Sequence, residues 1–395
     1  MQTHRSALLP YNRPDLSEEE CEAAVRVLKS GWLTSGPEVR EFEAEFAAAV
    51  DAPHAIALNS ATAALHLSMV ACDIGPEDAV IVPAITFTAS AEIIAYSGAL
   101  PLIVDVNRDS FLLDPDLLRA FIQDNCETRS GGLVHITSGR RVRALVPVHL
   151  GGRPCDMDGL GRIAAEHDLR IIEDAAHALP TRYNGRMIGS ISEFTAFSFY
   201  ATKNITTGGE GGMLTVQDES MADRLRRIRL HGIQGQAYGR ARWRYDVVDL
   251  GYKYNLTDMA AAIGRVQLRR LDEFQARRLQ IARAYEDACA DLPLRLVDRA
   301  DPDTALHLAT VELAPDAPLG RDELVEELYA RNIATSLHFI PLFHLAHYRE
   351  TYGLKPEDYP GADRIFGSIL SLPLFTKMTD EDVADVIHAL RDLLG

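Results

Sequence analysis

Between residues 54 and 216, short apolar runs alternate with stretches of helical periodicity. Most runs are apolar at consecutive positions, which is typical of strands buried on both faces of a sheet. Strands of this kind that are separated by helices form mainly parallel sheets with helices on both sides. The pattern predicts an α/β fold with a mainly parallel seven-stranded sheet. The predicted strands are 54–58, 79–83, 100–106, 144–150, 169–174, 194–200 and 211–216.

The pattern changes after about residue 250. Thr257 is expected to cap a long helix whose apolar positions, from Met259 to Tyr285, follow helical spacing. Shorter strand-like and helical segments follow Pro293, and a last helix is predicted after Thr379. We therefore expect a large α/β domain over residues 1–250 and a smaller α+β C-terminal domain, with its linking helix, over residues 251–395.

One connection is unusually long. Residues 126–143 separate a predicted helix from the strand near 144, and the pairs Gly131-Gly132 and Ser138-Gly139 favour turns. The segment is expected to form a hairpin. It is either a solvated surface insertion or a contact with a partner subunit.

Composition narrows the classes of protein. The net charge of −17 makes bulk attraction to nucleic acid or to an anionic membrane improbable. We find no run of eighteen apolar residues and no apolar core of a secretory signal, so we expect no membrane segment. The five cysteines are scattered without a CxxC pair, which indicates reduced thiols in a cytoplasmic protein. No His, Cys or Glu set has metal-ligand spacing, so no metal is expected.

Candidate chemistry begins with a carboxylate and a lysine. Asp174 ends an apolar run, and strand ends are where parallel sheets bind ligands. Lys203 is one of only five lysines, and its neighbours are small, hydroxylic or apolar, which favours a pocket over a solvated surface. A lysine that forms a Schiff base and a carboxylate that keeps a pyridine nitrogen protonated suit pyridoxal phosphate. Taken alone, a carboxylate at such a position is more often a helix cap or an ion-pair partner.

A phosphate would need donors. Asn59, Ser60, Ala61 and Thr62 connect the first strand to a helix, where free N–H groups favour an anion. This could also be a simple helix cap. Ser198 precedes the lysine and could add a hydroxyl group.

Several motifs occur in one order and together resemble a known family. They are WLTSGPEVREFE, NSATAALHL, PAITFTASAEII, PVHLGGRPCDMDGL, IIEDAAHA, FSFYATKNITTGGEGG, LGYKYNLTDMAAAIGRVQLRRLD and HFIPLF. The chain resembles the DegT/DnrJ/EryC1/StrS family of PLP-dependent nucleotide-sugar aminotransferases over nearly its whole length. The resemblance implies PLP fold type I, the fold of aspartate aminotransferase.

The resemblance also implies roles for residues. Lys203 would be the Schiff-base lysine and proton shuttle, Asp174 would pair with the pyridinium nitrogen, and Phe87, whose alternative is a core aromatic, would stack on the ring. His177 takes the place where the family has Gln or His near the ring. The phosphate would be held by Ser60, Ala61, Thr62 and Ser198, and by Asn255 of the neighbouring subunit in a homodimer with shared sites. Further candidate substrate contacts are Thr34, Tyr200, His231 and His338.

The implied reaction is a transamination in two halves. L-glutamate would leave as 2-oxoglutarate with pyridoxamine phosphate as the intermediate, and a nucleotide-linked 4-keto sugar, on UDP or dTDP, would then receive the amine at C4. Such a product serves a glycan or a glycosylated natural product. The alternatives are amination at C3, a PLP-dependent dehydratase, which the presence of Lys203 disfavours, and a non-catalytic PLP-binding regulator.

Arginines are dense over residues 224–244. They form either a solvated helix face or, in part, a clamp for the phosphates of a sugar nucleotide.

Overall fold

A computed structural model describes residues 5–234 and 245–395. Within these ranges the α-helices are α1 (Glu18–Ser30), α2 (Pro37–Ala49), α3 (Ala61–Ala71), α4 (Ala89–Tyr96), α5 (Pro115–Asn125), α6 (Met157–His167), α7 (Glu219–Ile228), α8 (Asp258–Arg269), α9 (Leu271–Ala288), α10 (Arg321–Ala330), α11 (Ala346–Tyr352), α12 (Pro360–Ser368) and α13 (Asp380–Leu394). The strands are β1 (His54–Leu58), β2 (Asp78–Pro83), β3 (Leu100–Val104), β4 (Cys126–Arg129), β5 (Gly132–His135), β6 (Arg141–Leu145), β7 (Arg170–Asp174), β8 (Arg182–Tyr183), β9 (Arg186–Met187), β10 (Phe194–Ser198), β11 (Gly212–Val216), β12 (Ile233–Gln234), β13 (Asp246–Val247), β14 (Leu294–Leu296), β15 (Ala309–Leu313) and β16 (Ile369–Leu372).

The main sheet is mostly parallel, as the apolar runs predict. Its central order is β1-β11-β10-β7-β6-β2-β3. The pairs from β10 across to β3 are parallel, whereas β11 is antiparallel to both of its neighbours. A second sheet, β14-β15-β16, forms a separate apolar core with α9, α10 and α13. The mixed α/β architecture is therefore confirmed, while the domain boundary at residue 250 stays a prediction.

The prediction of seven strands in the main sheet is wrong, because the insertion adds two. Residues 126–135 form the expected hairpin, β4 and β5, with a turn at Ser130 and Gly131. The pairing of Val134 with Arg141 joins the hairpin to the first residue of β6, and the main sheet then has nine strands within the described part of the chain. This is the amino-terminal end of a parallel strand. The hairpin therefore lies away from the edge where the parallel strands end.

Several element boundaries also differ from the predictions, since β3, β6 and β10 end at Val104, Leu145 and Ser198 rather than at residues 106, 150 and 200. Strand β6 begins at Arg141 rather than at residue 144, since Arg141 and Arg143 alternate with buried residues and hide its start in the sequence. The long helix predicted after Thr257 is two helices, α8 and α9, separated at Arg270. Thr257 does cap α8, because its side chain accepts a hydrogen bond from the N–H of Ala260.

No helix within the described ranges is both long enough and apolar enough to cross a membrane.

The hairpin generates the first testable prediction. Leu133 is 2% exposed within the main core, whereas Ile136, just beyond β5, is 51% exposed. We expect Leu133→Ala to lower the free energy of unfolding by about 2–4 kcal/mol, because it leaves a cavity in a packed core. Ile136→Ala is the matched control and should change it by less than about 0.5 kcal/mol. Urea titration followed by circular dichroism measures both, and equal effects would contradict the observed packing of the hairpin.

Candidate active site

A cavity of about 480 Å³ opens where the parallel strands of the main sheet end. Carboxyl ends of neighbouring parallel strands lie at one edge, so the residues that follow β1, β2, β7 and β10 converge there. Segments from the first residues of the chain and from its last third form other parts of the wall. The cavity residues used below are Tyr11, Asn12, Ser60, Ala61, Thr62, Thr86, Phe87, Asp174, His177, Ser198, Tyr200, Lys203, His307 and His338.

Lys203 supplies the amine of the cavity. It follows β10 in a turn in which its backbone N–H donates to the carbonyl of Tyr200 at 2.9 Å. Removal from water lowers the pKa of Lys203 to about 8, while the Asp174 carboxylate acts in the opposite direction. About a tenth of this amine is therefore neutral and nucleophilic at pH 7, far more than for a solvated lysine.

Asp174 supplies the carboxylate. It is the last residue of β7 and is 5% exposed. Its Oδ1 accepts a hydrogen bond from the N–H of Ala176 at 3.1 Å, and its Oδ2 accepts one from the hydroxyl of Ser90 at 2.6 Å. One donor on each oxygen fixes the plane of the carboxylate.

The start of α3 supplies an anion site. Helix geometry leaves its first N–H groups, at Ala61 and Thr62, without partners in the helix. Ser60 caps the helix, since its Oγ accepts from the N–H of Ala63 at 3.1 Å. Gly212 lies against this turn, because a Cβ atom there would stand 2.3 Å from the carbonyl carbon of Ser60. Only a glycine allows β11 to approach the turn so closely.

Three neutral histidines line the cavity. Burial lowers the pKa of His177 and of His307 well below the usual range, and it lowers the pKa of His338 to about 3. Nδ1 of His177 accepts from the N–H of Gly151 at 3.3 Å, so the proton of this ring is on Nε2.

The tautomer of His307 is the opposite one. The amide of Asn204 donates to the carbonyls of Leu179 at 3.0 Å and Ala305 at 2.7 Å, so its oxygen is free to accept. That oxygen lies 2.9 Å from Nδ1 of His307, which must therefore carry the proton. The rings of His177 and His307 are 4.2 Å apart between centroids. The two neighbouring rings therefore differ: His177 has an N–H donor at Nε2, and His307 has an acceptor nitrogen at Nε2.

Most of the predicted site residues come together in this one cavity. These are Ser60, Ala61, Thr62, Phe87, Asp174, His177, Ser198, Tyr200, Lys203 and His338. Phe87 is not a core aromatic, since it is 57% exposed. Three others do not line the cavity of their own chain, namely Thr34, His231 and Asn255. The amide of Asn255 instead donates to the hydroxyl of Ser35 at 2.8 Å.

Sequence reasoning missed several cavity residues. Thr86 stands beside Phe87 in one motif, PAITFTAS, so the hydroxyl residues of that motif were a usable signal. Tyr11, Asn12 and His307 are remote in sequence from the motifs and carry no such signal. Tyr11 reaches the cavity because Leu9 pairs with the segment at Ile333.

The arginine-dense segment is only partly described. Residues 235–244 of this run lie outside the described residues. On α7, Arg224 pairs with Asp73 at 3.0 Å and Arg226 with Asp223 at 3.1 Å. Next to α7, Arg229 pairs with Glu43. These three arginines are paired within the chain, which favours a structural role for them over a phosphate clamp.

Comparison with known proteins gives one consistent family. The model of the DegT/DnrJ/EryC1/StrS aminotransferase family matches residues 14–391. The spore coat polysaccharide biosynthesis protein SpsC of Bacillus subtilis is 43% identical over 99% of this chain and 98% of its own length.

Comparison with solved structures points to the same kind of protein. The putative sugar aminotransferase Spr1654 from Streptococcus pneumoniae, in its PMP form, has a TM-score of 0.89 and 33% identity, with 98% of each chain covered. Its PLP form has a TM-score of 0.87. DesV from S. venezuelae has a TM-score of 0.84 and 36% identity, covering 97% of this chain and 98% of that one.

The donor set of the cavity fits pyridoxal phosphate. An amine suits its aldehyde, a buried carboxylate suits its ring nitrogen, and a helix N-terminus beside Gly212 suits its phosphate.

The lowered pKa of Lys203 yields a prediction for the cofactor-free protein. At pH 8 about half of this amine is neutral, against less than about 1% for a solvated lysine. Trace labelling with acetic anhydride, followed by mass spectrometry of peptides, should show Lys203 reacting at a lower pH than Lys29, an exposed residue of α1. Asp174→Asn removes the charge that favours the ammonium form and should shift the Lys203 curve to still lower pH. Parallel curves for Lys203 and Lys29 would contradict the described cavity.

Proposed function

Because this chain belongs to the DegT/DnrJ/EryC1/StrS aminotransferase family, we propose a specific reaction for it. Its family and structural relatives make it a PLP-dependent sugar aminotransferase. We propose that it moves the amino group of L-glutamate to C4 of a nucleotide-linked 4-keto hexose, with or without a 6-deoxy group, on UDP or dTDP, to make an amino sugar. The observation that carries the proposal is the single cavity that holds a neutralisable amine, a buried carboxylate and an anion site.

We assign the proton transfers of the reaction to Lys203. Bound pyridoxal phosphate supplies an aldehyde that takes up the amino group and a ring that withdraws electrons from the reacting carbon. Nζ of Lys203 would hold the cofactor covalently, and as a free amine it would remove a proton from the α-carbon of the amino donor and return one to the cofactor carbon that bears the amino group. A pKa near 8 suits an amine that must both accept and give a proton. The presence of this lysine also favours transamination over dehydration.

Three side chains hold the ring in this proposal. The Asp174 carboxylate pairs with the ring nitrogen and keeps it protonated. Phe87, which presents more than half of its surface outward, stacks on one ring face. His177 offers its Nε2–H to the ring substituents, a role supported by the Gly151 contact, which leaves the proton on that nitrogen.

The phosphate lies at the start of α3. Ser60 and Thr62 add hydroxyls to the free N–H groups of Ala61 and Thr62. Ser198, at the end of β10, lines the same region of the cavity. We place Tyr200 and His338 on the sugar side of the site, with Thr34 and His231 as more distant candidates.

The proposal includes a homodimer with shared sites, in which Asn255 reaches the phosphate bound by its partner. It is supported by the position of Asn255 outside its own cavity and by exposed apolar residues near it in sequence. These are Tyr245 at 66%, Val247 at 57%, Val248 at 48% and Leu250 at 79% exposure. We also propose a cytoplasmic location, which the five free cysteines support.

The reaction can be tested directly. Purified protein with pyridoxal phosphate should lose its visible cofactor absorbance when L-glutamate is added and recover it when the correct keto sugar follows. Mass spectrometry and NMR of products from a panel of UDP- and dTDP-linked 3-keto and 4-keto sugars identify the carrier and the carbon. An amine at C3 would overturn the regiochemistry, and loss of water without amination would indicate a dehydratase.

Lys203→Ala should lower turnover by at least about 10²–10⁴-fold, since it removes the proton-transferring group. Lys355→Ala, at an exposed position of the last third of the chain, is the matched control. Protein that turns over normally without Lys203 would end the proposal.

Shared sites predict complementation between two impaired variants. In a mixed dimer of Lys203→Ala and Asn255→Ala subunits, one site carries both changes and the other carries neither. Mixing the two variants under conditions of subunit exchange should therefore raise activity above that of either homodimer. If Asn255 acts within its own subunit, each site of the mixed dimer keeps one defect and no gain appears.

A further inference from the structure

We propose that Ser90, supported by Thr86, is a positioning residue that orients the Asp174 carboxylate toward the ring nitrogen of pyridoxal phosphate. Neither residue belongs to the donor set described above. The inference rests on the proposed pairing of Asp174 with that nitrogen.

The three side chains form a continuous hydrogen-bonded chain. The Ser90 hydroxyl oxygen lies 2.6 Å from Oδ2 of Asp174 and 2.7 Å from the Thr86 hydroxyl oxygen. Ser90 is on α4 with no exposed surface, and Thr86 is 1% exposed in the loop before it. Both hydroxyl groups are therefore shielded from water, and Thr86 also lines the cavity.

The direction of the chain follows from chemistry. An ionised carboxylate only accepts hydrogen bonds, so the single proton of the Ser90 hydroxyl must point to Oδ2. The Ser90 oxygen then accepts the proton of Thr86, whose hydroxyl also lies 3.2 Å from the carbonyl of Phe87. A hydroxyl that is itself polarised by a donor makes a stronger hydrogen bond. The Ser90 hydroxyl thus fixes Oδ2, as the N–H of Ala176 fixes Oδ1, and the carboxylate keeps further lone pairs to accept from a ring N–H.

Ser90 differs from an ordinary helical serine. Ser68 is equally buried on α3, and its hydroxyl donates to the carbonyl of Ala64, one turn back, at 2.9 Å. This is the usual local bond of a serine within a helix. Ser90 instead bonds across to another element. The hydrogen bond to Asp174, 84 residues away in sequence, compensates for the removal of the Ser90 hydroxyl from water.

The consequence concerns cofactor binding. Without the Ser90 hydroxyl, Oδ2 loses its donor, and the N–H of Ala176 on Oδ1 is the donor that still restrains rotation about the Cβ–Cγ bond. The interaction of the carboxylate with a protonated ring nitrogen should weaken. Contacts with the phosphate and with Lys203 should be unaffected, because they lie at other parts of the cavity.

The experiment compares two cofactors in binding rather than in catalysis. Pyridoxal phosphate and its 1-deaza analogue, in which C–H replaces the ring nitrogen, are titrated by fluorescence into cofactor-free wild-type, Ser90→Ala, Thr86→Val, Ser68→Ala and Asp174→Asn proteins. We expect Ser90→Ala to weaken binding of pyridoxal phosphate about tenfold, the scale of one hydrogen bond to a charged group, and binding of the analogue less than about twofold. Thr86→Val should act in the same direction but less. Ser68→Ala should change neither.

Equal weakening of both cofactors by Ser90→Ala, or no weakening, would overturn the positioning role. Thr86→Val provides the same comparison if Ser90→Ala does not fold, as judged by circular dichroism. Asp174→Asn distinguishes failure of the Ser90 inference from failure of the proposed pairing between Asp174 and the ring nitrogen. If wild-type protein prefers pyridoxal phosphate and Asp174→Asn does not, the pairing of Asp174 stands and only the Ser90 result decides the inference. If Asp174→Asn keeps the wild-type preference, the pairing itself is wrong.

Discussion

The burial of an amine beside a carboxylate is the constraint on which the site depends. A solvated lysine is almost entirely protonated near pH 7 and cannot act as a nucleophile. Removal of Lys203 from water brings its pKa down to about 8, and Asp174 keeps it from falling further. The balance of these two opposing effects gives the amine a pKa at which it can both gain and lose a proton.

The fold produces this balance through strand direction. Parallel strands bring Asp174 and the segment after β10 to one edge of the sheet. The antiparallel strand β11 is the exception, and its reversed direction places Gly212 opposite Leu58 and Ser198 at that same edge. A residue without a side chain thus stands where the turn before α3 must approach closely. The reversed direction of β11 therefore accounts both for the mixed sheet and for the close approach at the anion site.

Much of the site could be predicted from the sequence because its signals are local. Strand ends, the cap at Ser60 and the small residues around Lys203 follow from neighbours in the chain. The bond between Ser90 and Asp174 joins two motifs, and no local pattern determines their pairing. His307 enters the cavity through its bond to Asn204, again between distant elements. The hairpin itself was expected, because its turn residues are a local signal. Its pairing with β6, which adds two strands to the main sheet, was missed because no local pattern determines it.

The central claim is that Lys203 forms the covalent bond to the cofactor. The most direct measurement is borohydride reduction of the protein loaded with pyridoxal phosphate, followed by peptide mass spectrometry. With only five lysines in the chain, the modified residue can be assigned without ambiguity. The account predicts a pyridoxyl phosphate adduct on Lys203, in about one copy per subunit. An adduct mainly on Lys29, Lys253, Lys355 or Lys377, or none at all, would contradict it.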